Sequence, residues 1–429
     1  MADARMTRRL AGVLNARMPE LGLAEVEDGR SRLGKRWRLE SILSAVIIGA
    51  AAGRKSLAEV EELTDSLPRE TRKLVRIGRR LPDTTARTAL GKQSVFEARK
   101  ILHRQVQVAK RRKVLKPWGL PCGVLTMDGK VVTLPAWDDH YAQRHTTEGG
   151  LGAVGLARTV SCTLVSSEVA VCLDATPIPA ETNEMGHFGH AFESVLSQYG
   201  DLFQLLTYDA GANSERNAAQ VVAAGKDYLF HLKDERWFLL QVAQMLLGPK
   251  SAEQAMAQTE TVLSNRKSVI RRVWLSHRLE GCGDYQHART FVRVQSQTLE
   301  DGQVVDGEDR YFVSSMEPGR MTPEEWLRVV RRHWRVENDL HKTLDTVFEE
   351  DAHPWIKTDP RGSVVVMILR RVAYNLLALF RGVTQRSPSK RATPWRRIQQ
   401  RLYQMLVALT EEGTRGLRLR ALEPQSAGP

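Results

Sequence analysis

The chain has 429 residues, with 63 Lys and Arg against 50 Asp and Glu, a formal net charge of +13 and a pI near 9.7. Such a length allows more than one domain, and such a charge calls for a polyanionic partner, of which nucleic acid is the commonest and an anionic membrane surface the alternative. Cys122, Cys162, Cys172 and Cys282 form no CxxC and no His-spaced set, which argues against a structural zinc site and a disulfide framework. The opening MADARMTRRL has no apolar stretch of the secretory kind, residues 42–52 are too short to span a bilayer, and the apolar run 364–380 is interrupted by Arg370 and Arg371. The expectation is a soluble, reducing, cytoplasmic protein with no membrane partner.

Residues 1–117 read as helical. An apolar helix over residues 38–53 ends at Gly53, and Ser56 with Glu59 three residues on opens the next as a capping box. The following Pro-Asp-Thr-Thr stretch suits a helix-turn-helix presenting Thr84, Thr85, Arg87 and Thr88 to base edges, although a short capped helix in any bundle has the same pattern. Lys100, Arg104, Lys110, Arg111, Arg112, Lys113 and Lys116 then stud a helix ending at Pro117. Such a run is either a solvated face or a phosphate-contacting one, and the pI favours contact.

Residues 118–236 change character. CGVLTM is a short buried strand ending at Asp128-Gly129-Lys130, with VVTL as its hairpin partner. ARTVSCTLV and VAVCLDATPI are two more strands about a Ser166-Ser167 turn. A helix over residues 182–199 turns Phe188, Phe192 and Leu196 inward. LFQLLTYD is a strand ending at Asp209, a helix begins at Asn213 or Ser214 and stops at Gly225, and DYLFHLK is one more strand. Strands followed by strands alternating with helices make an α/β layer sheet. Residues 237–318 form a β-rich insertion: a helix, then three half-exposed strands, two of them separated by the polar loop LEDGQVVDGEDR. Residues 319–385 return to helix, and residues 386–429 form a basic helical tail with Lys390, Arg391, Arg396, Arg397 and Arg401.

The stretch 331–351 carries an apolar stripe through Val336, Leu340 and Leu344, while Glu337, His341 and Asp345 recur every four residues and share a second face. Asp128 and Asp209 each end a strand, where sites gather in sheets flanked by helices. A carboxylate has no packing use at the end of a buried strand, so an ion ligand is expected, although either Asp could close a turn or cap a helix. With Glu337 added, three hard oxygen donors select Mg²⁺ or Mn²⁺ over zinc. Three carboxylates can hold two such ions about 3.5–4 Å apart, a clamp suited to phosphodiester displacement. His341 and Asp345, one and two turns on, would brace the ligands.

MDGK at residues 127–130, YDAGANSERNAAQVVAAGKDYLFHLKDE at 208–235, YFVSS at 311–315 and RRHWRVENDLHKTLDTVFEEDA at 331–352 resemble the DDE transposases of the ISAs1 group, in the IS4-like superfamily. The resemblance covers roughly residues 35–380; the last motif is long and specific, whereas DGK alone is weak. It implies an RNase H-like core with a β-rich insertion before the catalytic Glu. It implies Asp128, Asp209 and Glu337 as metal-binding catalytic residues, and binding of double-stranded DNA, both insertion-element ends and target, by a homodimer. The superfamily signature places an Arg four residues before the Glu and a Lys seven after it; here those positions hold His333 and Leu344. Arg332, Arg335 and Lys342 are then the candidate phosphate contacts. VVTLPAW replaces the usual basic residues after DGK, and the loop 138–150 is unusual. Asn183 and Glu184 fit the family's Asn-Glu pair, or simply open a helix. His187 and His190 are either metal ligands or a packed helix face. Trp334 is either a base-stacking platform or core, and Trp274 belongs to a DNA-facing or merely amphipathic strand.

Replacing Lys110, Arg111, Arg112 and Lys113 with Gln is expected to weaken DNA binding evenly across sequences. The slope of log K against log salt, from a titration over several salt concentrations, should fall by up to about 0.9 per lost phosphate contact.

Overall fold

The chain enters through α1 (Ala2–Arg17) and α2 (Leu39–Ala51), and α2 is apolar and buried on almost every side. Gly53, at φ 74°, ends this segment. The Ser56 hydroxyl accepts the Glu59 N–H at 3.1 Å to start α3 (Leu57–Ser66). Next come α4 (Arg69–Val75), α5 (Asp83–Gly91) and α6 (Val95–Arg111). The structure, a computed structural model, describes residues 2–31, 35–137, 139–147, 152–209, 211, 213–233, 237–279, 285–414 and 417; Cys282, Asp138 and the end of the basic tail lie outside them.

The sheet begins with β1 (Val124–Leu134), β2 (Ala142–Thr146), β3 (Ala153–Leu164) and β4 (Val171–Pro177). After α7 (Glu184–Tyr199) come β5 (Leu205–Tyr208), α8 (Glu215–Ala223), β6 (Asp227–Leu232) and α9 (Trp237–Leu247). Asn183 caps α7 by accepting the Gly186 N–H, and Ser214 caps α8 in the same way from Asn217. Four more strands follow, β7 (Ala257–Ser264), β8 (Lys267–Ser276), β9 (Thr290–Glu300) and β10 (Gln303–Ser314). Then follow α10 (Pro323–His333), a π-helical segment Val336–His341, α11 (Lys342–Thr346) and α12 (Pro360–Leu379).

Strand order is β2-β3-β1-β5-β6-β10-β9-β8-β7, with β4 also on β3. β1, β5 and β6 are parallel, while β3 is antiparallel to both β1 and β4. This is the RNase H-like mixed sheet flanked by helices, preceded by a helical region. β10 pairs antiparallel with β6, so β7 to β10 continue the same sheet. One apolar cluster packs α10 on the front face, through Trp326, Val329 and Val330 against Val124, Leu205 and Phe312. A second packs Phe188 and Phe192 of α7 on the back face against Met127, Leu206 and Tyr208. A third joins α2 and α12 to the other N-terminal helices.

Three readings of the sequence are corrected. Asp128-Gly129-Lys130 is not a hairpin turn: β1 runs straight through it, paired with β3 from Leu125↔Leu164 to Leu134↔Gly155. An unbroken partner strand outweighs the local turn signal of Asp-Gly. Most of the LEDGQVVDGEDR loop is strand; only Asp301 (φ 50°) and Gly302 (φ 79°) turn, the two left-handed residues a tight hairpin needs. β7 and the edge strand β2 were not read from the sequence at all, their apolar residues being too few to mark a face. The apolar helix α12 is long enough to cross a membrane but is buried within the fold. Its Arg371 Nη1 lies 3.3 Å from the carboxylate of Glu350, both side chains being fully buried.

α6 is locked onto the sheet by a buried acid. Asp174 on β4 accepts from Arg99 at 2.6 and 3.0 Å and from Ser194 of α7 at 3.0 Å, with His103 Nε2 2.9 Å away. Burial alone would raise this carboxyl, but His103 and Arg99 outweigh it and hold the group well below its ordinary 3.8. The stabilisation is therefore complete above the unfolded value and is lost as pH falls through the folded one. Asp174→Asn, which strands Arg99 in the interior, should cost about 3–5 kcal/mol at pH 7 in urea unfolding. The gap to the wild type should narrow as pH drops below about 4.

Candidate active site

The parallel pairing of β1 and β5 ends at Met127↔Tyr208. Asp128, still within β1, and Asp209, the residue just after β5, come next, so they stand side by side where strands run about 4.8 Å apart. Side chains alternate across a sheet, and two residues back the hydroxyls of Thr126 and Thr207 meet at 2.7 Å. Both aspartates thus belong to that front face, the one α10 covers.

Each aspartate has its own nitrogen partners. Asp128 Oδ2 lies 3.1 Å from His341 Nδ1. Asp209 lies 3.0 Å from His231 Nδ1 and 3.2 Å from Lys233 Nζ. Two residues along β1, Lys130 is buried between Asp345 at 2.7 Å and Asp351 at 2.6 Å. Burial first, and then Asp351, push the Asp345 carboxyl up, against the pull of Lys130. Beneath the pair, His333 Nδ1 meets Thr207 Oγ1 at 3.0 Å. Burial above all holds its pKa down to about 4, so at pH 7 it is neutral.

Glu337 sits where the helix changes geometry. α10 stops at His333, and residues 336–341 turn as a π-helix, the Lys342 N–H reaching back to the Glu337 carbonyl. Each π turn takes one residue more than an α turn, so the four-residue face read from the sequence is broken. Val336, Leu340 and His341 are buried while Glu337 is exposed. Asp128, Asp209 and Glu337 nevertheless line one cleft of about 1230 Å³, together with His341, Asp345, Lys130, Lys233, Arg271, Arg310, Arg331 and Trp334. Among the described residues no three His, Cys, Asp or Glu side chains stand close enough together to hold a metal ion. The cleft holds donors of the right chemistry for Mg²⁺ or Mn²⁺, hard carboxylate oxygens, without bringing all three together.

The other candidates fall in distinct places. Arg332 donates to the Ser166 carbonyl at 2.6 Å, and Arg335 donates to the carbonyls of Val165 and Ser167 at 2.8 Å each and to Asp339; both guanidiniums brace the β3–β4 turn. Lys342 is exposed on α11. Lys110 pairs with Asp201 at 2.6 Å, Arg112 pairs with Glu20, and Arg111 is exposed. Lys110, Lys113 and Lys116 surround a hollow with Gly123, Gln204 and Lys226, at the starts of β1, β5 and β6. The basic run therefore lies at the end of the sheet opposite Asp128 and Asp209. Trp274 is core, its indole N–H donating to the Ser251 carbonyl at 3.1 Å. Trp334 borders the cleft with the Arg310 guanidinium 4.0 Å from its ring centre. His187 is buried beside His190, and burial holds its pKa down to about 4.

His231, Lys233 and Arg310 were missed in the sequence. The alternation of His231 and Lys233 at the end of an otherwise apolar strand was the available signal, since one face of that strand had to be polar.

No family model matches this chain, and no curated protein matches it either. Among solved structures it is similar to the piggyBac transposase in a synaptic complex with hairpin DNA. That match has 11% identity and a TM-score of 0.42, covering 95% of this chain and 80% of the other.

Because Glu337 is exposed and has its backbone in a regular segment, Glu337→Gln should change unfolding free energy by no more than about 0.5 kcal/mol. A larger loss in chemical denaturation would show that the carboxylate carries structure.

Proposed function

We propose that this chain is a metal-dependent DNA transposase of the DDE type, in the ISAs1 group that its sequence resembles. The observation that carries the reading is the register of β1 and β5, which sets Asp128 beside Asp209 at the floor of a cleft that Glu337 also lines. In this reading the three carboxylates hold Mg²⁺ or Mn²⁺, which activates water or a 3′-hydroxyl and stabilises the leaving oxygen. Glu337 must then turn inward from its exposed position, and π-helical segments are common at functional sites. The cleft cations Lys233, Arg271, Arg310 and Arg331 would receive the phosphates of the reacting strand. The basic run Lys110 to Lys113, at the far end of the sheet, would hold duplex flanking the cut. We take residues 1–117 as the end-binding region, 118–236 and 319–385 as the catalytic core, 237–318 as the insertion and 386–429 as a basic tail. The chain would act in the cytoplasm as a homodimer on element ends and target DNA.

A second reading is a transposase-derived protein that holds DNA without cutting it. Its support is that the triad is not assembled and that His341, His231 and Lys233 occupy the two aspartates.

A Mn²⁺-dependent nicking assay on the DNA flanking the coding sequence separates the two. The wild type should nick at the element ends. Asp128→Asn and Asp209→Asn should each lose at least about a hundredfold in rate, since even residues behind metal ligands cost 10–100-fold, while binding DNA as before. Absence of wild-type nicking with intact DNA binding would favour the second reading.

A further inference from the structure

The back of the sheet holds a fourth carboxylate. Glu184 is the first residue of α7, on the face opposite Asp128 and Asp209, because Gly129 and Tyr208 alternate with those aspartates along their strands. The Tyr208 hydroxyl donates to Glu184 Oε1 at 2.7 Å, and the same carboxylate packs directly on Gly129. Gly129 is what lets it in: a Cβ there would lie 2.2 Å from Oε2 and 2.7 Å from Cδ. The residue directly after Asp128 and the residue directly before Asp209 are thus tied to one carboxylate. The turn that delivers it is held by Arg158, which donates to the Thr182 carbonyl at 2.6 Å.

We propose that Glu184 is a positioning residue: from behind the sheet its carboxylate clamps the ends of β1 and β5 and so sets the spacing of Asp128 and Asp209. The proposal rests on the reading of those aspartates as metal ligands. Glu184 touches neither aspartate, so its part is to hold Gly129 and Tyr208, and through them the backbone that aims the two ligands. The same clamp explains the Gly of the Asp-Gly-Lys motif, which no turn requires.

The test is calorimetric titration of the full-length protein with Mn²⁺, without DNA, alongside thermal unfolding of every variant. Glu184→Ala should weaken Mn²⁺ binding about tenfold or more, the usual effect of removing support behind a ligand. Glu184→Gln, which keeps one acceptor oxygen, should weaken it no more than about threefold, the worth of a single modest hydrogen bond. Tyr208→Phe, which removes only a hydroxyl, should fall between. Gly129→Ala should match Glu184→Ala, and the double variant should be no weaker than either, because both remove the same clamp. Equal losses in Glu184→Gln and Glu184→Ala would show that the charge itself holds the ion and would overturn the positioning role. Unchanged affinity in Glu184→Ala, or additive losses in the double variant, would also overturn it and leave the metal reading standing. A wild type that binds no Mn²⁺ would overturn that reading, and the proposal with it.

Discussion

The four-residue parallel pairing of β1 with β5 is the constraint on which the rest of the site depends. It stops at Met127↔Tyr208, and the next residue on each side is an aspartate. Two carboxylates side by side repel, so something must hold them there. On the front face that task falls to His341, His231 and Lys233, which place nitrogen donors on both acids. On the back face Glu184 packs on Gly129 and accepts from the Tyr208 hydroxyl, and its carboxyl is pushed up by burial first and then by Asp128 and Asp209.

Two separate cores press on the pairing, one from each face. α10 seals the front with Trp326 and Val330, and α7 seals the back with Phe188 and Phe192. α6 is fastened to β4 by charges that have left water, Arg99 and His103 meeting Asp174. On α12 the buried Arg371 meets Glu350 of the turn after α11 and donates to Thr159 of β3 at 3.2 Å. Buried pairs of this kind add little net stability against an apolar alternative but make any displaced arrangement costly, since it would strand a charge. They fix where the helices sit relative to the strands more than how strongly they sit there.

The helix that brings Glu337 obeys a different rule. Its apolar stripe is real, with Val336, Leu340 and Leu344 all buried. The π turn between them changes the phase by one residue, and what it delivers to Asp128 is His341. The same segment carries the exposed Glu337.

Much of this was legible in the residues themselves. Ser56, Asn183 and Ser214 each stop a run of extended chain with an oxygen that accepts a helix N–H, and all three caps are present. Asp128, Asp209 and Glu337 stood out because isolated acids beside apolar strands and stripes have few structural uses, and all three reach one cleft. These are local signals, carried by neighbours within a few residues. What local signals missed is what partners decide. Asp128-Gly129 reads as a turn until β3 pairs straight through it, and Gly129 has no purpose until Glu184, 55 residues further on, fills the space a side chain would take. Arg332 and Arg335 read as phosphate contacts until the β3–β4 turn presents carbonyls to them. Composition, capping and periodicity are written along the chain and determined the kinds of element and the choice of acids. Strand register, the phase of the π turn and the partners of each charge depend on contacts between distant segments, and only the tertiary structure decided them.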